Sequence, residues 1–470
     1  MKSYFLGVVI LFLGYFTYGK YLEKNFGVDS RLTPAKELED GVDFVSLSWW
    51  KNLLVQFLNI AGLGPITGAV AGAMWGTSSF LWIVFGTIFA GAVHDYYMGM
   101  ISMRNNGENV QELVGKYLGK KMKMLVKYFL VLLLIIVGVA FITGPGEILQ
   151  SFTGINKNYW IGAIVIYYLV ATLLPIDKII GRIYPIFGAS LILMMFLLIG
   201  AMIYKGVQIP EITLENLHPQ KLPIFPYMFV IISCGAISGF HSTQSVLVAR
   251  CIEDEYHGRK AFMGAMYMEG FVALTWAAIS LGFFNGVEGL MASGGGMVAV
   301  SKVITGLLGK YGMVFTLFGL IALPITTGDT AFRSARITIG EILNYDQKPL
   351  KNRLLVALPI FLLAGFFSKF GFNVLWTYVA STNQLLATLG LWTCVFYLKK
   401  EGKNYWIPGI PACFMTAMIS TYFLVSPEWI GIKNINLAYG MGIFIFFFGI
   451  IFINFEKTLK NISQKGYNKI

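Results

Sequence analysis

Charged residues are scarce in this 470-residue chain, where Asp, Glu, Lys and Arg together make up 13%. A soluble domain of this size carries about twice that share. Cysteine is also rare, and the four cysteines have no metal-like spacing: Cys234, Cys251, Cys394 and Cys413. We therefore expect neither a disulfide nor a metal centre, and packing is the simplest role for these thiols.

Motifs of membrane-embedded enzymes are missing as well. The chain has four histidines, and no two of them have a zinc-binding spacing on one helix. The motifs H-E-x-x-H and G-x-S-x-G do not occur. His94 and Asp95 are adjacent, and adjacent helical residues point to different faces, so we expect no catalytic dyad. The sequence predicts a protein that is not an enzyme and has no cofactor.

Long apolar runs make up much of the chain, since 56% of the residues are hydrophobic. Runs of about 17–25 residues are long enough to cross a hydrocarbon core of about 30 Å. The sequence predicts an all-α polytopic membrane protein with about thirteen transmembrane spans. They are 3–19, 51–76, 79–102, 124–149, 158–174, 183–205, 225–249, 261–285, 311–332, 353–368, 372–398, 406–425 and 435–455.

The net charge of +12 follows the predicted topology. With the N-terminus outside, 28 of the 36 Lys and Arg residues fall in segments on the cytoplasmic side. The positive-inside rule therefore predicts an outer N-terminus and a cytoplasmic C-terminus. The basic balance reflects topology and a bilayer environment, so we expect no nucleic-acid partner.

Two predicted spans contain helix-weakening residues. The second span carries Gly62-Leu63-Gly64-Pro65, and the seventh carries CGAISGFHS at 234–242. They lie five spans apart, and an odd repeat length inverts the orientation. This favours a 5+5 inverted repeat with a discontinuous first helix in each half, as in secondary transporters; a chance coincidence of two glycine-rich spans is the alternative. The predicted units are 1–50 (first span and cytoplasmic loop), 51–205 (first repeat), 225–398 (second repeat) and 406–470 (two further spans and a basic tail).

The first predicted break combines two features. Pro65 removes a backbone donor and frees carbonyls one turn earlier, which is tolerated at membrane depth only where the backbone is buried or lines a cavity. Downstream, glycines recur at every fourth residue, which allows another helix to approach closely. These glycines are Gly64, Gly68, Gly72 and Gly76.

Ionisable residues inside spans need a reason, because each costs a few kcal/mol in the bilayer. Asp95 and Glu269 are candidates for ion coupling, or uncharged carboxyls hydrogen-bonded between helices. Asp329 lies in PITTGDT (324–330), where oxygen ligands suit Na⁺ and a buried carboxyl suits a proton; a helix cap is the alternative. The hydroxyl residues of that candidate ion site are Thr326, Thr327 and Thr330.

No Lys or Arg is clearly placed at mid-membrane between Asp95 and Arg333. We therefore expect an anionic substrate to be held by free amides at the half-helices that start after Gly64 and Gly239. His241 could donate to a carboxylate, carry a proton or simply pack. The full predicted substrate site is Gly62, Gly64, Pro65, Ser238, Gly239, Phe240, His241, Asn383 and Gln384.

Several long segments resemble the carbon starvation protein (CstA) family from about residue 20 to 390. They include IAGLGPITGAVAGAMWG, AGAVHDYYMGMISMRNNGENVQELV, CGAISGFHSTQSVLVARC, GAMYMEGFVAL, TTGDTAFRSAR, STNQLLA and DSRLTPAKELEDGVDFV. The chain differs from the family in being shorter than many members, and in His94, where another polar residue is expected. The resemblance points to the same candidate residues: Gly62, Gly64, Pro65, Asp95, Ser238, Gly239, Phe240, His241, Glu269, Asp329, Asn383 and Gln384.

The resemblance implies a LeuT-like transporter of the bacterial inner membrane, active in the response to starvation. It implies ion-coupled import of a small carboxylate-bearing nutrient, a peptide or pyruvate, by alternating access, with H⁺ or Na⁺ as the coupling ion. The alternatives are a membrane sensor on a transporter fold and a Na⁺-coupled amino-acid symporter. A channel would need rings of polar residues, which these spans do not offer.

Overall fold

A computed structural model describes residues 1–40, 44–173, 177–309, 312–346 and 349–467 of the chain. Within these residues the secondary structure is helical, with an isolated parallel bridge between Leu47 and Ile252. The protein is an all-helical polytopic membrane protein, as its apolar runs predict.

Within the described residues of the first half of the chain lie eleven helices, and several of them are parts of longer helical segments. A π-helical turn at Thr87–Gly91 joins α6 to α7, for example. The helices are α1 Lys2–Phe16, α2 Tyr18–Phe26, α3 Pro34–Glu37, α4 Trp49–Ile60, α5 Gly64–Gly72, α6 Ser78–Gly86, α7 Ala92–Arg104, α8 Val110–Leu118, α9 Lys120–Thr153, α10 Lys157–Leu173 and α11 Asp177–Tyr204.

Eleven further helices follow in the described part of the second half. A π-helical turn at Arg259–Met263 leads into α14, and another at Thr316–Ala322 precedes α18. The helices are α12 Phe229–Ile231, α13 Gly239–Ala249, α14 Gly264–Phe283, α15 Val287–Ala292, α16 Gly296–Leu308, α17 Gly312–Phe315, α18 Leu323–Ile342, α19 Leu350–Phe367, α20 Phe372–Lys400, α21 Trp406–Val425 and α22 Ile435–Tyr467.

Seven of the described helical segments are long and apolar enough to cross a membrane, or eight if the bent pair of α4 and α5 is one span. The predicted count of thirteen is therefore not confirmed, since the other predicted spans are short, interrupted or partly polar. The predicted boundaries at 174 and 311 lie outside the described residues. The seven segments are Lys2–Phe26, Ser78–Arg104, Lys120–Thr153, Glu255–Phe283, Leu350–Phe367, Trp406–Val425 and Ile435–Asn454.

A buried ion pair fixes α7 against the segment that enters α14. The Glu255 carboxylate is fully buried and accepts hydrogen bonds from Arg104 Nε at 2.8 Å and Nη2 at 2.9 Å. It also accepts one from the Asp29 amide at 3.1 Å. Hydrogen bonding to Arg31 holds the pKa of Asp29 well below its usual value. This pair joins α7, which carries Asp95, to the segment that leads into α14, which carries Glu269.

Candidate functional site

The first break lies where the sequence predicts it. Helix α4 ends at Ile60, α5 begins at Gly64, and the two axes differ by 49°. Pro65 occupies the first turn of α5, where its missing N–H is not needed. Thr327 lies beside the break, since a Cβ added to Gly62 would stand 3.6 Å from the Thr327 Oγ1.

The glycine stripe of α5 contacts the second broken helix. A Cβ on Gly64 would lie 2.4 Å from the Cβ of Cys234, and one on Gly72 would lie 2.3 Å from the side chain of Ile232. The close-packing role of the stripe is thus confirmed at these positions. Sequence reasoning missed its partner, because a small-residue stripe does not say which helix will approach it.

The second break runs through residues 232–238, between the end of α12 at Ile231 and the start of α13 at Gly239. Gly235 has φ +87°, a left-handed conformation that favours glycine. Two side chains hold this residue. The hydroxyl of Thr87 donates to the Gly235 carbonyl at 2.9 Å, and the Gly235 amide donates to Glu269 Oε1 at 3.2 Å.

Helix α20 closes over the start of α13. The Phe240 amide donates to Asn383 Oδ1 at 2.9 Å, so one of the amides expected to receive a substrate carboxylate is already occupied. A Cβ on Gly239 would lie 2.4 Å from the Asn383 carbonyl oxygen, and Ser238 stands at the N-cap of α13. Gln384 donates from Nε2 to the Phe229 carbonyl at 3.4 Å. The predicted substrate residues of both elements therefore lie together at this break.

Three ionisable side chains from three helices meet beside the second break. Asp95 Oδ2 lies 3.0 Å from His241 Nδ1, and His241 Nε2 lies 3.4 Å from Glu269 Oε1. We call Asp95, His241 and Glu269 the acidic cluster. All three side chains are fully buried, so the cluster is closed to solvent on both sides in this conformation.

His94 contacts the acidic cluster through Asp95. This contact corrects the expectation that His94 and Asp95 point apart. The Nδ1 of His94 lies 2.8 Å from Asp95 Oδ1. Adjacent helical side chains diverge at Cβ, but the imidazole is long enough to turn back to its neighbour's carboxylate. The adjacent His-Asp pair is the sequence feature from which this contact could have been predicted. Helix α20 packs closely here, since a Cβ on Gly390 would lie 2.6 Å from His94 Nε2.

Cys234 is another neighbour that the spacing of cysteines did not reveal. Its sulfur, one imidazole nitrogen of His241 and a carboxylate oxygen of Glu269 all lie within 4.8 Å of one another. A metal ion needs a free imidazole lone pair, yet both ring nitrogens of His241 face carboxylate oxygens. The arrangement suits a protonated imidazole, hydrogen-bonded to Asp95 and within ion-pair distance of Glu269, better than it suits a metal ligand.

The predicted ion site on α18 is built differently. Asp329 Oδ2 lies 3.4 Å from Arg333 Nη2 one turn along the helix, and this nitrogen also donates to the Ala171 carbonyl at 3.1 Å. Thr330 donates its hydroxyl to the Thr327 carbonyl at 2.8 Å. Thr326 is half-buried on the same helix. The contacts described for Asp329 thus involve an arginine, whereas Asp95 and Glu269 contact a histidine.

Known proteins similar to this chain are transporters and membrane proteins. The family described as Carbon starvation protein CstA matches residues 2–144, 144–287 and 284–422. An uncharacterized membrane protein of Haemophilus influenzae is 38% identical over 345 residues, which cover 62% of this chain and 93% of that protein. The Peptide transporter CstA of Escherichia coli is 24% identical over 560 residues, covering 87% of this chain and 78% of that protein. The Pyruvate/proton symporter BtsT of Escherichia coli is 26% identical over 335 residues, covering 57% and 47%.

A solved structure shares the fold. Mhp1, a nucleobase-cation-symport-1 family transporter in a closed conformation with bromovinylhydantoin bound, superposes with a TM-score of 0.51 at 14% identity. The match covers 90% of this chain and 96% of that one, so the two chains share their fold. With the family match extending over most of its length, the chain belongs to the carbon starvation protein CstA family of membrane transporters.

Proposed function

We propose that the chain is a proton-coupled secondary transporter that imports a small carboxylate-bearing nutrient, a peptide or pyruvate, by alternating access. The observation that carries this proposal is the acidic cluster. It joins Asp95 of α7 and Glu269 of α14 to His241, which lies just after the second break. The names of the two Escherichia coli relatives supply the two substrate classes. Neither name decides between them for this chain.

The charge balance of the acidic cluster favours a proton. Two ionised carboxylates around one protonated imidazole leave a net charge of −1, and one further proton makes the group neutral. An uncompensated charge at bilayer depth costs a few kcal/mol, so a closed cluster favours the neutral form. Glu269 Oε2 has no hydrogen-bond partner among the described residues, which favours a neutral acid at this position.

His94 is best assigned as a neutral donor. Its Nδ1 donates to Asp95, while its Nε2 has no hydrogen-bond partner among the described residues and is fully buried. An imidazolium would place an unsatisfied N–H there, whereas a neutral ring leaves only a lone pair. The Nε2 of His241 also makes no hydrogen bond within the described part of the chain, but it lies 3.4 Å from Glu269 Oε1, and this acidic neighbour stabilises an imidazolium. The mobile proton is therefore assigned to His241 and Glu269, with Asp95 as the ionised partner.

The acidic cluster is linked to backbone geometry through Gly235. A carboxylate accepts the Gly235 amide more strongly than a neutral acid does, because hydrogen bonds to charged groups are roughly twice as strong. Protonation of Glu269 would therefore loosen the second break, and deprotonation would tighten it. This connection gives the proton a way to bias the shape of a substrate site built on that break.

Buried polar atoms around the breaks provide the substrate contacts in this proposal. Within the described residues, Ser233 Oγ, Ser238 Oγ, Gln384 Oε1 and Trp376 Nε1 are buried without a hydrogen-bond partner. Trp376 packs on the start of α5, directly after the first break, since a Cβ on Gly64 would lie 3.7 Å from its ring. Buried polar groups are normally satisfied, so these atoms are suited to a bound polar solute.

The architecture proposed with this function is the 5+5 inverted repeat, with 51–205 and 225–398 as its halves. Each half begins with an interrupted helix, at 61–63 and at 232–238, which supports the pairing. The flanking units are 1–50 and 406–470. The positive-inside rule supports an outer N-terminus and a cytoplasmic C-terminus in the bacterial plasma membrane.

Na⁺ coupling is the second candidate, and one observation favours it. The Thr327 hydroxyl lies beside the first break at Gly62, where hydroxyl and freed carbonyl oxygens suit a hard cation. Thr326, Thr330 and Asp329 are on the same helix. This reading corresponds to the alternative of a Na⁺-coupled symporter.

Uptake by purified protein in liposomes tests these proposals. Labelled pyruvate and a labelled dipeptide are each supplied under an inward H⁺ gradient, an inward Na⁺ gradient and no gradient. We expect one of the two solutes to accumulate under the H⁺ gradient and to leak out when a protonophore is added. Accumulation under Na⁺ alone would move coupling to the Thr327 region. Absence of uptake of both solutes would favour the alternative of a sensor on a transporter fold.

A further inference from the structure

A cavity of about 590 Å³ lies between α1, the start of α4 and the first turns of α14. Its walls change character along their length. Toward one end they are apolar and include Leu11, Phe12 and Phe271, and at the other end stand Arg259 and Lys260. We call this the α1–α14 groove. It is separate from the acidic cluster, and neither the proposed substrate nor the proposed coupling ion involves it.

The α1–α14 groove faces the lipid side of the molecule. Phe12 is 64% exposed and Phe16 43%, and their neighbours Leu6, Val9 and Leu13 on α1 are also exposed. An apolar surface of this kind on a spanning helix is in contact with acyl chains. A ligand of this groove therefore comes from the bilayer rather than from water.

The length of the groove matches one leaflet. Its walls on the α14 side extend from Lys260 to Phe271, which corresponds to a rise of about 16 Å in a helix. Half of the hydrocarbon core is about 15 Å thick. A single acyl chain would reach from the basic end of the groove to the middle of the bilayer.

The basic end of the groove has more positive than negative charge. Arg259 Nε donates to Glu23 at 2.9 Å, but its Nη1 is buried and has no hydrogen-bond partner among the described residues. The Lys260 ammonium lies 4.9 Å from the centre of the Trp49 ring, and within the described part of the chain no ion pair or hydrogen bond engages it. Two cations thus face one carboxylate, with Trp49 and Tyr15 beside them, as at a membrane–water boundary.

We propose that the α1–α14 groove binds one anionic phospholipid. Its phosphate lies at the basic end, against the groove-lining side chains of Arg259 and Lys260, and one acyl chain follows Phe12 toward Phe271. The occupant carries a net negative charge, because a zwitterionic headgroup would bring its own cation to a site that already has an excess of positive charge. The lipid fills the space between α1 and α14 and ties the first helix to the transporter body.

The test compares lipids that differ only in the headgroup. Protein purified in mild detergent is mixed with dioleoyl phosphatidylglycerol or dioleoyl phosphatidylcholine, and bound lipid is counted by native mass spectrometry. We expect one tightly retained phosphatidylglycerol and about tenfold weaker retention of phosphatidylcholine. Equal retention of the two lipids would overturn the proposal.

Variants locate the site. Lys260→Gln keeps the pair of Arg259 with Glu23, and we expect it to weaken retention of phosphatidylglycerol about fivefold. Lys51→Gln is the matched control, because Lys51 is exposed, lies over the neighbouring Trp50 at 5.6 Å and does not line the groove. Equal losses in both variants would indicate nonspecific attraction to a basic surface and would refute a specific site.

Discussion

Among the described residues, the candidate coupling carboxylates are of two kinds, which differ in their partners. Asp95 and Glu269 face the imidazole of His241, at 3.0 and 3.4 Å. Asp329 faces the guanidinium of Arg333 at 3.4 Å. An imidazole gains and loses its proton near neutral pH, whereas a guanidinium stays charged. Only the first arrangement can change its total charge without leaving a cation unpaired.

The acidic cluster and the Asp329–Arg333 pair also differ in their burial and in the backbone that they contact. The acidic cluster is fully buried and bonds to the non-helical Gly235. The Asp329–Arg333 pair keeps 16% and 11% of its side-chain surface exposed and lies on the continuous helix α18. In the proposed mechanism, a proton at the acidic cluster would therefore act on a non-helical segment. The Asp329 pair instead ties two turns of one helix together.

The largest effect is expected from His241→Gln. This change leaves Asp95 and Glu269 in a closed site without a cation, and breaking a buried ion pair from one side costs about 3–5 kcal/mol. We expect proton-driven accumulation in liposomes to fall by about 100-fold or more. The control is His218→Gln, which alters a histidine whose ring centre lies 4.3 Å from that of Trp75, outside the acidic cluster. Retained accumulation in His241→Gln, in protein that stays monodisperse, would contradict the proton assignment.

Glu269→Gln is expected to separate coupling from transport. The amide oxygen of glutamine can still accept the Gly235 amide, so the second break keeps its hydrogen bond, but the side chain no longer takes up a proton. We expect concentrative uptake to be lost and solute exchange across the membrane to stay within about threefold of the unmodified protein.

The control for this variant is Glu147→Gln, because Glu147 also belongs to a predicted span but is partly exposed and pairs with Lys157 at 3.3 Å, away from the acidic cluster. If Glu269→Gln still accumulates solute along a pH gradient, Glu269 is not a coupling residue. If both variants lose exchange to the same extent, the effect is on folding.

The two breaks could be predicted because they depend on residue types with local effects. Pro65 and the glycines at 62 and 64 disrupt a helix whatever its tertiary contacts are, and Gly235 permits a left-handed backbone. The periodic glycines likewise predict a close contact. The glycines contact the segment around Cys234, and this contact depends on how helices far apart in sequence pack together. The pattern of a single sequence does not reveal such a tertiary contact.

The acidic cluster was predictable only in part, for the same reason. Asp95, His241 and Glu269 were each marked by the cost of an ionisable group in a membrane, but they were assigned to two different roles. Their meeting depends on α7, α13 and α14 packing side by side. Local rules suggested that His94 and Asp95 diverge, and this was wrong because side-chain length outweighed the angle between their Cβ positions.

The smallest effect is expected from Asp329→Asn. If the Arg333 pair is structural, losing it costs about 1 kcal/mol, typical of partly exposed ion pairs, and uptake falls by no more than about fivefold. The ion dependence is the sharper readout, because accumulation should still follow the H⁺ gradient. Arg333→Gln removes the other half of the same pair and should give a similarly small loss. If Asp329→Asn alone abolishes gradient-driven uptake while exchange persists, coupling belongs to α18, and the contrast between the two carboxylate sites is reversed.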